Sequence, residues 1–267
     1  MKDDIVIAIS QSDISPWREI RKTQQDTWIK KFDNDAVIIH YLSKNPSLIL
    51  KIVDSFIENY RFSKKLGKII SVLNRLIAIF ISSKIPKYIF DKNKNELLVD
   101  SNSTYFLFGR RNLALYEWFV ENTNSKFLFQ TNTSSYINVA KLKSITKKLD
   151  DRSLIFAGMI INPNSQSFKI VSGAGRLLSR DLVIEILKHR SHLEFNNLED
   201  ICVSELISKM PVRIIPLERY DLLTINKLNH LPDEVLSKYF HFRCKSQNIP
   251  RTDSNIMFAL HQRLSNF

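Results

Sequence analysis

The residues with the clearest potential for chemistry follow a short apolar run in the middle of the chain. That run, Phe127–Phe129, predicts a buried strand, and a helical pattern occupies residues 139–149. Between them stand amide and hydroxyl side chains: Gln130, Thr131, Asn132, Thr133, Ser134 and Ser135. Open α/β sheets bind ligands beyond the carboxyl ends of their strands, so these groups could hydrogen-bond a ligand. Alternatively, this is an ordinary strand–loop–helix connection in which Ser134 or Ser135 caps the helix.

A second candidate group lies near the C-terminus, where basic residues alternate with Phe240 and Phe242. Alternate residues of an extended segment project to one face. Arginine suits bidentate phosphate contact and lysine acts as a point charge, so this face could bind phosphates. The residues concerned are His241, Arg243, Lys245 and, further on, Arg251. The alternative is a solvated basic strand in a chain with a formal net charge of +12.

Two adjacent acids, Glu199 and Asp200, are candidates for proton transfer. A carboxylate can act as a general base toward a reacting hydroxyl. Equally, both acids could only stabilise the start of the helix that follows them. Gly173 and Gly175 would let the backbone come close to a ligand, and an ordinary tight turn over Ser172–Arg176 explains them as well.

The periodicity predicts one α/β domain over residues 1–267, with a mostly parallel central sheet flanked by helices. Continuous β-branched runs predict parallel, buried strands, and strand, helix and strand within about the first 40 residues are typical of a doubly wound sheet. Strands are predicted near residues 4–10, 36–42, 96–99, 127–129, 153–161, 168–171 and 212–215, and helices from residue 16 and over residues 110–119, 139–149, 179–190, 201–210 and 254–264.

Residues 47–90 are predicted to be a helical insertion. Residues 66–81 are apolar, interrupted by Asn74 and Arg75 and flanked by lysines. They are too short and too interrupted to span a bilayer. They either pack as a helix on the sheet or lie as a basic interfacial helix on anionic lipid.

The composition indicates in which compartment the protein is located and which class of partner it binds. A net charge of +12 favours a polyanion: nucleic acid, anionic lipid, nucleotide phosphates or an acidic glycan. No nucleic-acid-binding motif is present, so no nucleic acid partner is expected. Cys202 and Cys244 make neither a disulfide framework nor a zinc site, which indicates a reducing compartment. Without a recognisable signal peptide, we expect a cytoplasmic protein or one peripheral on the inner face of the cytoplasmic membrane.

Five segments within residues 4–215 resemble, in order, motifs of the β-1,3-galactosyltransferase and Fringe family of glycosyltransferases. The first is Arg18-Glu-Ile-Arg21-Lys-Thr23, with Trp28 displaced by an insertion, and the second combines Asp100, Tyr105, Arg110 or Arg111, and Trp118. The third, residues 130–138, stands where the family has Lys-Thr-Asp-Asp-Asp-x-Phe-x-Asn, and we call it the central frame. The last two are Gly173-Ala-Gly175 before Ser179-Arg-Asp181, and Glu199-Asp200-Ile201.

The resemblance implies a GT-A fold, which is Rossmann-like, and it assigns roles to several of the matched residues. Asp200 or Glu199 would be the catalytic base, and the donor would be bound by Asn132, Thr133, Ser134, Ser135, Asp100, Arg110, Arg111, Gly173 and Gly175. In the family the acidic triplet of the frame binds a divalent metal, but here it is Asn132-Thr133-Ser134. Neutral amides and hydroxyls are poor ligands for Mg²⁺ or Mn²⁺. We therefore expect no metal cofactor, with the C-terminal basic segment, residues 231–267, closing the donor site instead.

These implications predict a metal-independent, inverting glycosyltransferase. It would move a sugar from a nucleotide sugar to a hydroxyl of a bacterial surface glycan, such as lipopolysaccharide or capsule. The acceptor would be a glycan or a lipid-linked glycan, with an anionic membrane surface as a further contact. The alternative is a non-catalytic glycan- or nucleotide-binding protein on the same fold.

Overall fold

The computed structural model describes residues 4–13, 15–32, 36–44, 85–101, 108–149, 153–161, 167–193, 198–247 and 250–265. Its strands are β1 Ile5–Ser10, β2 Val37–Ser43, β3 Tyr88–Asp91, β4 Glu96–Val99, β5 Phe127–Asn132, β6 Ser135–Ile137, β7 Ile155–Ile161, β8 Ile170–Ser179, β9 Arg213–Pro216, β10 Tyr220–Asp221 and β11 His241–Arg243.

The helices alternate with these strands along much of the chain. They are α1 Trp17–Gln24, which continues through a π-helical turn, Gln25–Ile29, into α2 Lys30–Phe32, then α3 Phe108–Asn122, α4 Val139–Thr146, α5 Arg180–Lys188, α6 Glu199–Ser208, α7 Ile225–Asn229, α8 Asp233–Lys238 and α9 Asp253–Ser265. A 3₁₀ turn spans Arg190–His192.

Eight strands form the central sheet in the order β3-β4-β2-β1-β5-β8-β7-β9. The pairs β4–β2, β2–β1, β1–β5 and β7–β9 are parallel, and the other three are antiparallel. The predicted α/β fold with a mostly parallel sheet between helices is therefore confirmed. From β1 the chain turns to β2 on one side and later returns to β5 on the other. This leaves a crevice at the carboxyl ends of β1 and β5, where open α/β sheets bind ligands.

Both faces of the sheet are buried, as the continuous apolar runs require. Along β1, Val6 and Ala8 pack into the cluster that contains residues of α3, α5 and α6. Ile5, Ile7 and Ile9 pack into the cluster on the other face, with residues of α1, α4 and α9. The alternation of a strand thus divides the core into two layers.

Two local predictions are wrong. Ser172–Arg176 is not a tight turn, because these residues lie inside β8, and no glycine among the described residues has a positive φ. The helix after β5 is capped by neither Ser134 nor Ser135. The short strand β6 intervenes, and Asn138 caps α4 by accepting a hydrogen bond from the Lys141 N–H at 3.1 Å.

The predicted insertion lies mostly outside the described residues. Within the described part, Tyr88–Asp91 pairs antiparallel with β4, so the helical insertion predicted over 47–90 does not extend to its last residues. Across the helices that the structure describes, none combines the length and the apolar character needed to cross a bilayer. Cys202 and Cys244 are buried and form no disulfide.

Gly175 provides a test of the packing between the two sheets. A Cβ built there would lie 2.2 Å from His241 Cε1, whereas one at Gly173 would lie 3.5 Å from its nearest neighbour. We expect Gly175→Ala to lower the free energy of unfolding by about 1–3 kcal/mol through overpacking. Gly173→Ala is the matched control and should change it by less. Denaturant unfolding measures both, and equal stability of the two variants would contradict the close approach of His241.

Candidate functional site

The central frame lies at the crevice between β1 and β5. Asn132, the last residue of β5, is in register with Ser10, the last residue of β1. Thr133 and Ser134 are almost fully buried, Ser135 is fully buried, and Asn132 is half-buried. The frame therefore stands where the sheet topology places a ligand.

Helix α1 and the π-helical turn hold the backbone of the frame. Gln24 Nε2 donates to the carbonyls of Ser135, at 2.8 Å, and of Asn132, at 3.2 Å. The buried Trp28 ring donates from Nε1 to the same Ser135 carbonyl at 3.1 Å. Arg21, on the same helix, forms an ion pair with Glu96 of β4. Gln24 and Trp28 thus fix the backbone of the frame, whereas Arg21 joins the helix to β4.

Most polar side chains of the frame are engaged within the protein. Asn132 Oδ1 accepts from the Ser134 N–H at 3.1 Å and from Ser135 Oγ at 3.3 Å. Thr131 Oγ1 donates to the carbonyl of Ala174 on β8 at 3.0 Å. These bonds join β5, β6 and β8 around one small backbone segment.

Ser134 takes part in a buried cluster that we call the Asp253 clasp: Ser134, Ser246, Arg251 and Asp253. The fully buried Asp253 carboxylate accepts from Ser134 Oγ and from the Ser246 N–H, each at 2.9 Å, and pairs with Arg251. Arg251 also donates to Ser134 Oγ at 3.1 Å, and its guanidinium stacks on the ring of Trp17, 4.3 Å from the centroid. Arg251 therefore contacts the frame and secures it to the start of α9.

Strand β11 brings the basic segment to the frame. It pairs antiparallel with β6, so that Arg243 is in register with Ser135, and the Cys244 N–H donates to the Ser134 carbonyl at 2.7 Å. The predicted alternation is present, since Phe242 and Cys244 lie in the core while Arg243 is half-buried and Lys245 is exposed.

His241 lies on the same side of β11, but it is buried. Its Nε2 is 2.9 Å from Ser135 Oγ, and its ring lies against Gly175. Burial, together with the nearby Arg219 and Arg243 cations, lowers the pKa of His241 well below its usual value. The imidazole is therefore neutral at physiological pH and adds hydrogen bonding, but no charge, to the group.

Lys245 lies close to other cations. Desolvation is the main cause that lowers the pKa of this lysine, the positive charges of Arg243 and Arg251 add to the effect, and Asp253 and Asp221 oppose it. The two arginines therefore repel a charged Lys245. An anion bound beside Arg243 and Lys245 would relieve that repulsion.

The two candidate bases occupy different environments. Glu199 is buried and forms an ion pair with Arg176, which is itself almost completely buried. Asp200 is half-buried, and its Oδ2 lies 3.5 Å from the Gly173 N–H. Only Asp200 therefore presents a carboxylate that is not committed to an ion pair within the described residues.

Arg176 is the centre of a polar network inside the core. Its Nε donates to Gln130 Oε1 at 2.9 Å, and its Nη2 donates to Tyr116 OH at 3.0 Å and to Glu199. Burial lowers the pKa of Arg176, but the Glu199 carboxylate more than offsets this effect and holds it above its usual value. The network ties β5, β8, α3 and α6 together directly below the crevice.

The remaining predicted residues lie at the beginning of α3 and at the end of β4. Arg111 is buried, donates to Ser10 Oγ at 2.9 Å and to the Gln11 carbonyl at 3.1 Å, and stacks on Tyr41. Arg110 is half-buried. Burial lowers the pKa of Arg110, and Asp100 partly offsets this shift. Tyr105, which belongs to the same motif, lies outside the described residues.

The donor atoms at the frame do not fit a divalent metal. Hard cations prefer several carboxylate oxygens, whereas the frame offers an amide and hydroxyls. The carboxylate that contacts the frame through Ser134, that of Asp253, is already bound by Arg251, Ser134 and Ser246. Among the described residues, no group of three or more acidic, histidine or cysteine side chains could hold a metal ion.

Several site residues were not identified from the sequence: Gln24, Asn112, Tyr116, Arg176, Arg219 and Asp253. Arg219 makes a bidentate ion pair with Asp221, at 2.6 and 3.1 Å, and donates to Ser172 Oγ at 3.0 Å. The sequence signal that could have identified such residues is a charged or amide side chain within an otherwise apolar segment, as for Arg176 in Gly-Ala-Gly-Arg-Leu-Leu.

Comparisons with known proteins give structural similarity only. No family model and no curated protein sequence matches the chain. One similar solved structure is a glycosyltransferase involved in the glycosylation of the major capsid of PBCV-1, with 11% identity, 96% of this chain and 98% of that chain covered, and a TM-score of 0.49. The galactosyltransferase LgtC in complex with donor and acceptor sugar analogues has 7% identity, coverage of 97% and 95%, and a TM-score of 0.47. The glycosyltransferase GlyE of Streptococcus pneumoniae TIGR4 has 12% identity, coverage of 98% and 60%, and a TM-score of 0.42.

The Asp253 clasp leads to a stability prediction. Arg251→Met leaves the fully buried Asp253 carboxylate without its counter-ion, so we expect a loss of about 2–4 kcal/mol in the free energy of unfolding. Lys209→Met, which removes an exposed ion pair with Glu205, is the control and should cost less than about 0.5 kcal/mol. Urea unfolding compares the two variants, and an equally small effect of both would show that the clasp does not stabilise the frame.

Proposed function

We propose that this protein is a glycosyltransferase that uses a nucleotide sugar and needs no divalent metal. The observation that carries the proposal is the convergence of three chemical elements at one crevice: a hydrogen-bonding frame on β5 and β6, a cationic strand β11 paired with β6, and an uncommitted carboxylate, Asp200, beside Gly173 of β8. A nucleotide sugar needs contacts to the nucleotide, an offset for diphosphate charge, and a base for the acceptor hydroxyl.

Asp200 is the better candidate for the base. Glu199 stabilises the buried Arg176 charge, and protonating it in a reaction cycle would leave that charge unpaired, which is strongly unfavourable. Asp200 faces a glycine, and a Cβ at position 173 would lie 3.5 Å from Glu199 Oε2 and 3.9 Å from Asp200 Oδ2. The absent side chain leaves room for an acceptor hydroxyl to approach. One base acting on the acceptor, without a covalent intermediate, gives inversion at the anomeric carbon.

The diphosphate would lie against Arg243 and Lys245. Arg243 is the last residue of β11 and is in register with Ser135 of the frame. Lys245 follows two residues later and is repelled by the charges of Arg243 and Arg251. Preorganised cations can stabilise the negative charge that develops on a leaving diphosphate. His241 and Arg251 support this group from within the protein, the first through Ser135 and the second through the clasp.

The acceptor would be a hydroxyl of a bacterial surface glycan, free or linked to lipid, as in the synthesis of lipopolysaccharide or capsule. This part of the proposal rests on the basic charge of the chain and on its Lys-, Asn- and Ile-rich composition. An anionic membrane surface would present a lipid-linked acceptor to such a protein. A cytoplasmic location, where nucleotide sugars are the donors, fits two cysteines that form no disulfide.

The metal requirement is tested by nucleotide release. Purified protein is offered a panel of nucleotide sugars, with glycan acceptors free in solution or carried on anionic liposomes, in EDTA or in Mn²⁺. We expect release of the nucleoside diphosphate to differ by less than about twofold between the two conditions, because the donor atoms of the frame suit no divalent cation. Activity that requires Mn²⁺ would overturn metal independence.

Asp200→Asn separates the enzyme from a protein that only binds. If Asp200 is the base, kcat should fall about 10²–10⁴-fold while the affinity for the nucleotide sugar, measured by calorimetry, changes little. Asp181→Asn, an exposed acid in the first turn of α5, is the control and should retain activity. No turnover by the unmodified protein, together with nucleotide-sugar binding that survives Asp200→Asn, would favour the non-catalytic binding protein instead.

A further inference from the structure

Asn112 and Arg176 carry three of the buried polar atoms that have no hydrogen-bond partner in the described part of the chain. These atoms are Oδ1 and Nδ2 of Asn112 and Nη1 of Arg176. Both residues are almost completely buried, with 1% of their surface exposed. An unpaired buried amide or guanidinium N–H is unfavourable for folding. Native proteins satisfy nearly all such groups, so these atoms indicate a partner of complementary chemistry.

The three atoms belong to one region below the crevice. Tyr116 donates to Gln130 Oε1 at 2.8 Å and accepts from Arg176, so this face of α3 points at the Arg176 network. Asn112 precedes Tyr116 by four residues and therefore shares its face, one turn away. Helix α3 runs from the carboxyl end of β4 to the amino end of β5, which places Asn112 nearer the crevice than Tyr116.

Neighbouring contacts agree with that placement. Arg111 donates to Ser10 Oγ and to the Gln11 carbonyl at the carboxyl end of β1, and Asn112 is the next residue. Arg176 is in register with Gln130, two residues before the end of β5. The Asn112 amide and the Arg176 guanidinium thus border the same end of the sheet as the frame.

The orientation of Arg176 is fixed, although one of its nitrogens is unused. Gln130 holds Nε, and Tyr116 and Glu199 hold Nη2. Asp200 follows Glu199 directly, and Gly173 faces both acids without a side chain. The network therefore fixes Nη1 in a residue whose ion-pair partner, Glu199, directly precedes the candidate base.

We infer that Asn112 and Arg176 form a subsite for the sugar of the donor, in which they hydrogen-bond to its hydroxyl groups. An amide offers one acceptor and two donor positions, and Nη1 offers further donors. Adjacent sugar hydroxyls, each both donor and acceptor, complement this set. This inference rests on the proposed function and adds to it the residues that distinguish a nucleotide sugar from its nucleoside diphosphate.

The test compares the unmodified protein with Asn112→Leu, a substitution of similar shape. Calorimetry measures the affinity for each of a panel of nucleotide sugars and for the matching nucleoside diphosphates. We expect Asn112→Leu to change the affinity for the nucleoside diphosphate by less than about twofold. The affinity for the nucleotide sugar should fall about tenfold or more. Because a leucine removes an unpaired buried amide, Tm of the ligand-free variant should stay equal or rise. A purely structural amide predicts a lower Tm and unchanged discrimination.

Asn122→Leu, at the exposed far end of the same helix, is the matched control and should bind both ligands normally. If Asn112→Leu fails to fold, Asn112→Ala provides the same binding comparison. A lower Tm in both Asn112 variants, or unchanged sugar affinity in either, would overturn the subsite and leave the proposed function standing. Absence of any nucleotide-sugar binding by the unmodified protein would overturn both.

Discussion

The burial of one positive charge, on Arg176, constrains the rest of the site. Moving a guanidinium into a protein core is costly unless a carboxylate and hydrogen bonds compensate it. Here Glu199 supplies the charge, and Gln130 and Tyr116 supply the hydrogen bonds. Each partner comes from a different element, so the positions of β5, α3 and the start of α6 all depend on this one side chain. The same interaction also positions Asp200, the next residue of α6.

A buried charge beside the frame is compensated in the same way on the other face of the sheet. Asp253 is neutralised by Arg251 and bound by Ser134 and Ser246. Both buried carboxylates, Glu199 and Asp253, are therefore matched by an arginine within the protein. Next to the frame, β11 ends at Arg243, and desolvation together with the charges of Arg243 and Arg251 lowers the pKa of Lys245 two residues later. Positive potential of this kind attracts anionic ligands.

The sequence predicts the local features of this fold better than its long-range ones. The apolar runs of β1, β4 and β5 and the alternation from Phe240 to Lys245 follow from burial on one or both faces of a strand, which short windows reveal. Gly173 and Gly175 were misread as a turn because glycine also permits turns. At Gly175 the real constraint is the His241 ring, 66 residues away in sequence. No short window contains that contact.

The same reasoning explains why the candidate site was predicted only in part. The frame, Asp200 and the basic strand are recognisable from residue type and order. The residues that position them are not, because Arg176 meets Gln130 across 46 residues and Ser134 meets Asp253 across 119. Only the fold decides which polar residue is buried and what compensates it. Asn112 shows this most clearly, since in the sequence it is one amide in a helix that begins with Phe-Gly-Arg-Arg. Asn112 becomes a candidate binding residue only through its burial, the position of Tyr116 one turn further on, and the absence of a partner within the described residues. Unmet hydrogen-bonding capacity at a topological crevice is unfavourable for folding alone, and a bound ligand that supplies the missing bonds would convert that loss into affinity.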